Sequence, residues 1–154
     1  MTTFEASAQL PVVIIGAGPI GLAAAAHLRR RAVAVVVLEA GSVAGSSVLE
    51  WGHTRLFSPW SELVDQVAAS LLDEAGWNPP NPQRCPTGSE WAGDYLQPLA
   101  AVFGDSVRYG TTVTGIAKRG RDLLVDSGRD AETFTVHVST QGGAKRVAAS
   151  AVID

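Results

Sequence analysis

One stretch limits the folds open to this chain more than any other. Val12-Val13-Ile14-Ile15 runs directly into Gly16-Ala17-Gly18-Pro19-Ile20-Gly21. Four consecutive β-branched residues predict a strand buried on both faces of a parallel sheet. The glycines predict a turn into a helix from about Pro19 to Arg31, since Pro19 suits the first helical position, where its missing N–H costs nothing. Leu22, Ala25, Ala26 and Leu28 share one helical face. Arg29, Arg30 and Arg31 gather at the carbonyl end, where positive charge complements the helix dipole. Val33 to Leu38 repeats the buried-strand pattern and ends at Glu39. Strand, glycine turn, helix, strand is a βαβ unit, with a right-handed crossover expected.

The spacing Gly16-x-Gly18-x-x-Gly21 carries chemistry as well as shape. The first glycine permits the turn, the second lets backbone approach a pyrophosphate with no Cβ in the way, and the third lets helix and strand pack closely. The helix N-terminus then offers free N–H donors and partial positive charge to an anion. With 16 glycines in 154 residues, the bare motif arises by chance about 0.15 times per chain. The preceding apolar run and an acid closing the second strand bring the composite below about one in a thousand. The Glu39 carboxylate suits the hydroxyls of an adenosine ribose. A 2′-phosphate there would meet like charge, a repulsion of roughly 4 kcal/mol at about 4 Å and an effective dielectric near 20, so NADP is disfavoured at this position. FAD and NAD share the same ADP half, and these residues alone do not choose between them.

Composition narrows the alternatives. Twelve basic and fifteen acidic residues leave a net charge of −3, without the clustered Lys and Arg of a nucleic-acid binder. A single cysteine, Cys85, excludes a disulfide framework within the chain and a multi-cysteine zinc site, and His27, His53 and His137 show no metal-ligand spacing. The apolar stretch from Pro11 to Ala26 has Glu5 and no Lys or Arg before it and glycines within it. It therefore reads as part of a folded unit and not as a secretory leader or membrane span, which predicts a cytoplasmic location.

Residues 1–10 read as a short lead-in. Beyond Glu39, Ser42 to Ser47 is small and flexible. Ser61 to Ala75 predicts a helix with Ser58 or Ser61 as N-cap, and Asn78 to Pro86 a proline-rich loop. Thr87 and Glu90 form a capping box opening a helix to about Phe103, kinked at Pro98. The period then changes to two. Val107–Tyr109, Thr112–Ala117, Thr133–Ser139 and Lys145–Ala148 predict short strands, and Ala151-Val152-Ile153 another buried one. Because that strand meets the end of the sequence at Asp154, the chain is expected to be the N-terminal part of a longer protein.

VVIIGAGPIGLAAAAHL, then VVVLEAG with Glu39-x₅-Gly45, resembles the FAD-binding domain of flavoproteins built on two dinucleotide-binding domains, the glutathione-reductase-like superfamily. The likeness is nearest to flavin-containing monooxygenase-like oxidoreductases, although Ser46 stands where that branch has a second glycine. WGHTRLFSPW (Trp51–Trp60) and the pattern from Tyr95 through Ile116 to AVID continue the resemblance. It implies an α/β fold, a Rossmann-like parallel sheet with a helical insertion and a β-meander layer, forming an FAD-binding domain over residues 11–154. It also implies a site: Gly16, Ala17, Gly18, Pro19, Ile20 and Gly21 under the FAD pyrophosphate, Glu39 and Ala40 at the ribose, Gly45 beside them, and the Val113 backbone at the adenine edge. NAD(P)H would be the reductant, bound by a domain outside this chain, which has no second G-x-G-x-x-G.

Arg55, among aromatics in a Gly/Ser/Pro-rich region, is a candidate for holding a phosphate or an anionic substrate, or else a structural ion pair. Trp51, Phe57 and Trp60 either wall the flavin or belong to the core. His53 reads as a solvated loop histidine. Cys85 has no C-x-x-C partner, which gives no support to disulfide redox chemistry. No residue is assigned a catalytic role, and no metal is expected. Two further readings stay open: a non-catalytic module holding NAD or ADP, and a chain that retains no cofactor without its remainder. The partners expected are FAD and a small-molecule substrate, with neither nucleic acid nor membrane.

Overall fold

A computed structural model describes residues 10–120 and 132–154; the lead-in lies outside the described residues apart from Leu10. The chain runs β1 (Val12–Ile15), α1 (Pro19–Arg30), β2 (Val35–Leu38), α2 (Ser46–Leu49), α3 (Trp60–Leu63), α4 (Gln66–Glu74), α5 (Gly88–Trp91), a π-helical turn Ala92–Leu96, α6 (Gln97–Phe103), a 3₁₀ turn Gly104–Ser106, β3 (Val107–Arg108), β4 (Thr112–Lys118), β5 (Phe134–Thr140), β6 (Gly143–Ala149) and β7 (Ala151–Ile153). Two sheets result, a parallel one ordered β3-β2-β1-β7 and an antiparallel one ordered β4-β5-β6.

The strand period builds three layers. Successive side chains of a strand point to opposite faces, so Ile14 and Val37 turn toward Leu22, Ala25 and Ala26 of α1 and the helices beyond, including Leu72, Tyr95, Leu96 and Leu99. Val13, Val36 and Leu38 turn the other way and meet Val136, Val138 and Ala149 of the antiparallel sheet. Both faces of β1 and β2 are covered, which is why their sequences are unbroken apolar runs. The α/β architecture with helical insertion and meander layer is as expected. Among the described residues no helix is long and apolar enough to cross a membrane.

Several boundaries fall elsewhere than expected, each for a local reason. Helix α1 stops at Arg30 in a Schellman-type end: the Val33 N–H bonds the Leu28 carbonyl and the Ala32 N–H that of Arg29, both at 3.0 Å, with Ala32 at φ 56°. Val33 is committed to that cap, so β2 begins at Val35. The helix expected over Ser61–Ala75 is broken at Val64, whose φ of −105° and ψ of 117° are extended. Its cap is neither Ser58 nor Ser61 but Asp65, which accepts from the N–H groups of Val67 and Ala68. The Thr87–Glu90 capping box forms. Pro98 leaves no simple kink. It has no N–H for the Asp94 carbonyl one turn back, the helix opens into a π-helical turn just before it, and the Trp77 indole N–H donates to that carbonyl at 2.8 Å. The proline-rich loop is ordered against the 54–61 segment: Leu56 N–H donates to Pro86 O, Trp60 N–H to Arg84 O and Ser61 N–H to Pro82 O. The strand expected over Val107–Tyr109 ends at Arg108.

Candidate functional site

In open α/β sheets the ligand crevice lies outside the carboxyl ends of the strands. At that edge β1 turns into Gly16, whose φ of +91° is open to glycine but strained for other residues, while its N–H donates to Leu38 O at 2.7 Å. Gly18 follows in extended backbone as the N-cap of α1 with no side-chain cap, so the first helical N–H groups have no side-chain acceptor. The first turn also holds no acidic residue. A Cβ built on Gly16 or Gly18 would meet nothing within 4 Å, whereas one on Gly21 would lie 2.1 Å from the Gly16 carbonyl oxygen. The three glycines therefore divide the work: Gly21 closes the strand–helix contact, and Gly18 leaves open space above a bare backbone. That space, bordered by unpaired N–H donors, suits a diphosphate.

Glu39 is built into the same edge. Its Oε2 accepts from the Ala17 N–H and its Oε1 from the Gly41 N–H, each at 2.7 Å. The Gly45 N–H donates in turn to the Ala17 carbonyl at 3.0 Å. Gly45 stands at φ +73°, where a Cβ would press within 2.9 Å of Leu96 Cδ1. Backbone from beyond β3 completes the frame: Thr111 N–H donates to Glu39 O and Gly110 N–H to Gly41 O, both at 2.9 Å. Each carboxylate oxygen of Glu39 uses one lone pair on these amides and keeps another for an incoming hydroxyl. Gly16 to Gly21, Glu39 and Gly45 are thus brought together. Ala40 is exposed beside them, and Ile20 is 81% exposed at the head of α1. Val113 lies in β4 with its side chain against the second core cluster, two residues after Thr111.

Arg55 is not brought to this edge by any contact among the described residues. Its guanidinium donates to the Cys85 carbonyl at 2.6 Å and stands 4.0 Å from Glu90, and its backbone bridges Thr87. The aromatics separate: Trp60 is core, Trp51 lies half-exposed, and Phe57 is 97% exposed. His53 is exposed. The Cys85 thiol lies 3.7 Å from the Phe57 carbonyl. Among the described residues no three His, Cys, Asp or Glu side chains cluster as metal ligands would.

Sequence reasoning missed Gly41, Tyr109, Gly110 and Thr111. Gly41 had as its signal only a glycine two residues after Glu39; in the fold a Cβ there would strike Ser46 Oγ at 2.0 Å. The Tyr109–Thr111 segment had none, since its place follows from β3 pairing with β2. Burial, and then the charge of Glu39, push the Tyr109 phenol above its ordinary range. A second polar link ties α1 to α4: His27 Nε2 lies 3.1 Å from Asp65 Oδ2, and the Asp65 N–H donates to the Tyr95 hydroxyl at 3.1 Å. Burial raises the Asp65 carboxyl, but the Ala68 N–H, His27 and the Val67 N–H outweigh it and hold the group below its ordinary value.

A family model described as pyridine nucleotide-disulphide oxidoreductase matches residues 13–140. No curated protein matches the chain. Among solved structures it is similar to the bacillithiol disulfide reductase of Bacillus cereus, with TM-score 0.68 and 20% identity over 94% of this chain and 38% of that one. It is also similar to the S-allyl-L-cysteine S-oxygenase of Allium sativum, with TM-score 0.66 and 22% identity over 94% and 35%. The Kutzneria sp. 744 ornithine N-hydroxylase, solved with reduced FAD, NADP+ and L-ornithine, gives TM-score 0.65 and 23% identity over 94% and 36%. At these identities the likeness is one of fold, and the chain spans little more than a third of each relative's length.

Proposed function

The chain belongs to the pyridine nucleotide-disulphide oxidoreductase family, and from that premise we propose that it is the FAD-binding portion of an FAD-dependent oxidoreductase of the flavin-monooxygenase type. The observation that carries this is the bare backbone at Gly18, open above the head of α1, beside a carboxylate bonded to the same loop at Ala17. A diphosphate would lie over Gly16–Gly21 on the first N–H groups of α1. Glu39 would take the ribose hydroxyls with its remaining lone pairs, next to Ala40. Gly45 would hold the loop through Ala17, and the Val113 backbone would approach the adenine edge. Arg55, 59% exposed at its side chain, would hold a phosphate only by leaving the Cys85 carbonyl.

When bound, the flavin would supply the redox chemistry, while the protein binds and orients it. These positions would therefore act in binding, and the NAD(P)H that would reduce the flavin would be bound by a domain outside residues 11–154. Dithiol chemistry has no support in this chain, whose sequence holds one cysteine. The similar structures include both a disulfide reductase and an S-oxygenase.

The test is to purify the chain, record its visible spectrum, and identify the small molecule released on denaturation. Flavin absorbance with FAD released is the expected result. Released NAD without flavin would make the chain a nucleotide-holding module instead. A chain that is empty and takes up no added FAD would end this reading for the isolated protein.

A further inference from the structure

Tyr109 follows the last residue of β3, and its backbone neighbours are fastened to the site: Gly110 N–H on Gly41 O and Thr111 N–H on Glu39 O, with the Thr111 hydroxyl turned back onto the Tyr109 carbonyl at 3.1 Å. Thr111 is buried at 7% while Tyr109 is 40% exposed. A large ring is thus left half in water on a rigid segment, at the carboxyl end of the sheet. Six other large apolar side chains are about as exposed or more so among the described residues, from 37% to 97%: Ile20, Val43, Leu49, Trp51, Phe57 and Ile116. None of them belongs to the segment bonded to Glu39 and Gly41 from across the sheet.

We propose that Tyr109 is a base-binding residue of the dinucleotide site, its ring forming the platform against which the adenine base lies once the ribose is on Glu39. This rests on the dinucleotide reading above and extends it to a residue that no motif marks. Two physical arguments support it. Gly110 and Thr111 are bonded to Gly41 O and Glu39 O, which sets Tyr109 next to the residue proposed to take the ribose, and the base is the group attached to that ribose. An aromatic ring offers a base a flat apolar contact that is sequence-tolerant and energetically useful, and the half-exposed ring gains by being covered.

The experiment is a titration of the cofactor-stripped chain with FAD, followed by flavin fluorescence, and with ADP as competitor. It compares the unaltered protein, Tyr109→Phe and Tyr109→Ala, with thermal midpoints recorded for each. Tyr109→Phe should bind both ligands within about twofold of the unaltered chain. Tyr109→Ala should weaken both by about tenfold, the size typical of a lost base–aromatic contact, with an unchanged thermal midpoint in the absence of ligand. Tyr109→Ala binding within twofold would overturn the platform and leave the dinucleotide site standing. Equal loss in both variants would also overturn it, by moving the role to the hydroxyl. Failure of the unaltered chain to bind either FAD or ADP would overturn the site itself and this inference with it.

Discussion

The edge of the parallel sheet and the helical layer packed behind it are held together in opposite ways. At the edge, amide groups do the joining: Ala17 and Gly41 on the Glu39 carboxylate, Gly45 on Ala17, Gly110 on Gly41 and Thr111 on Glu39. Apart from Glu39 and the proposed Tyr109 platform, what matters there is the lack of side chains. In the helical layer particular polar side-chain atoms decide: Asp65 caps α4 and meets His27, Trp77 takes the carbonyl that Pro98 cannot serve, and Thr87 and Glu90 cap each other. The edge should therefore fail when atoms are added, and the helical layer when atoms are removed.

That contrast is open to test, from the largest effect downward. Gly21→Ala places a Cβ 2.1 Å from the Gly16 carbonyl, a backbone clash with no flexible neighbour to yield. We expect about 3 kcal/mol or more of lost stability, read as a collapse of the thermal midpoint or loss of soluble protein; a normal midpoint would mean that the strand–helix contact is looser than described. Gly18→Val adds more atoms but in open space and in extended backbone that valine adopts. It should keep the fold and lose FAD binding, so full FAD occupancy would show that the diphosphate lies elsewhere. Glu39→Ala breaks the rule that the edge needs no side chains. It should both weaken FAD binding clearly and loosen the loop at Ala17, and unchanged affinity would remove Glu39 from the site.

In the helical layer, Asp65→Ala removes the α4 cap and should cost about 1 kcal/mol, with Asp65→Asn retaining much of it through its side-chain oxygen. Because the folded carboxyl is held below its ordinary 3.8, its ionised contacts stabilise the fold above that pH, and this contribution is lost as pH falls below it through the folded value. The Ala variant's deficit, followed by thermal unfolding, should therefore shrink on acidification below about pH 4; a deficit constant with pH would make the cap's charge irrelevant. The smallest effect runs the other way. Ala32 holds φ 56° at the end of α1, where glycine is the favoured residue. Ala32→Gly should stabilise by about 0.5–1 kcal/mol, visible as a small rise in thermal midpoint, and a fall would contradict that reading of the helix end.

Legibility followed the same division. The bend at Gly16–Gly21 and an acid closing the second strand were readable because they fall within one short βαβ unit, whose spacing brings both to the same sheet edge. The capping box was readable for the same reason, its partners being three residues apart. The Asp65 cap was not, since Ser58 and Ser61 offered equally good local chemistry. The choice fell to a break at Val64 and to Asp65's contacts with His27 and Tyr95, 38 and 30 residues away. Arg55 was grouped with the site by nearness in sequence, yet the pairing of segment 54–61 with the proline loop holds its guanidinium on Cys85.

By itself the sequence determined the βαβ unit and the glycine bend, because apolar period, missing side chains and a terminal acid are properties of a local stretch of chain. Only the tertiary structure decided that the Glu39 carboxylate accepts from both Ala17 and Gly41, that Gly45 is wedged beneath Leu96, and that Tyr109 follows a strand paired with β2. Those depend on which strand pairs with which, and such pairings join residues too far apart along the chain for any local pattern to encode.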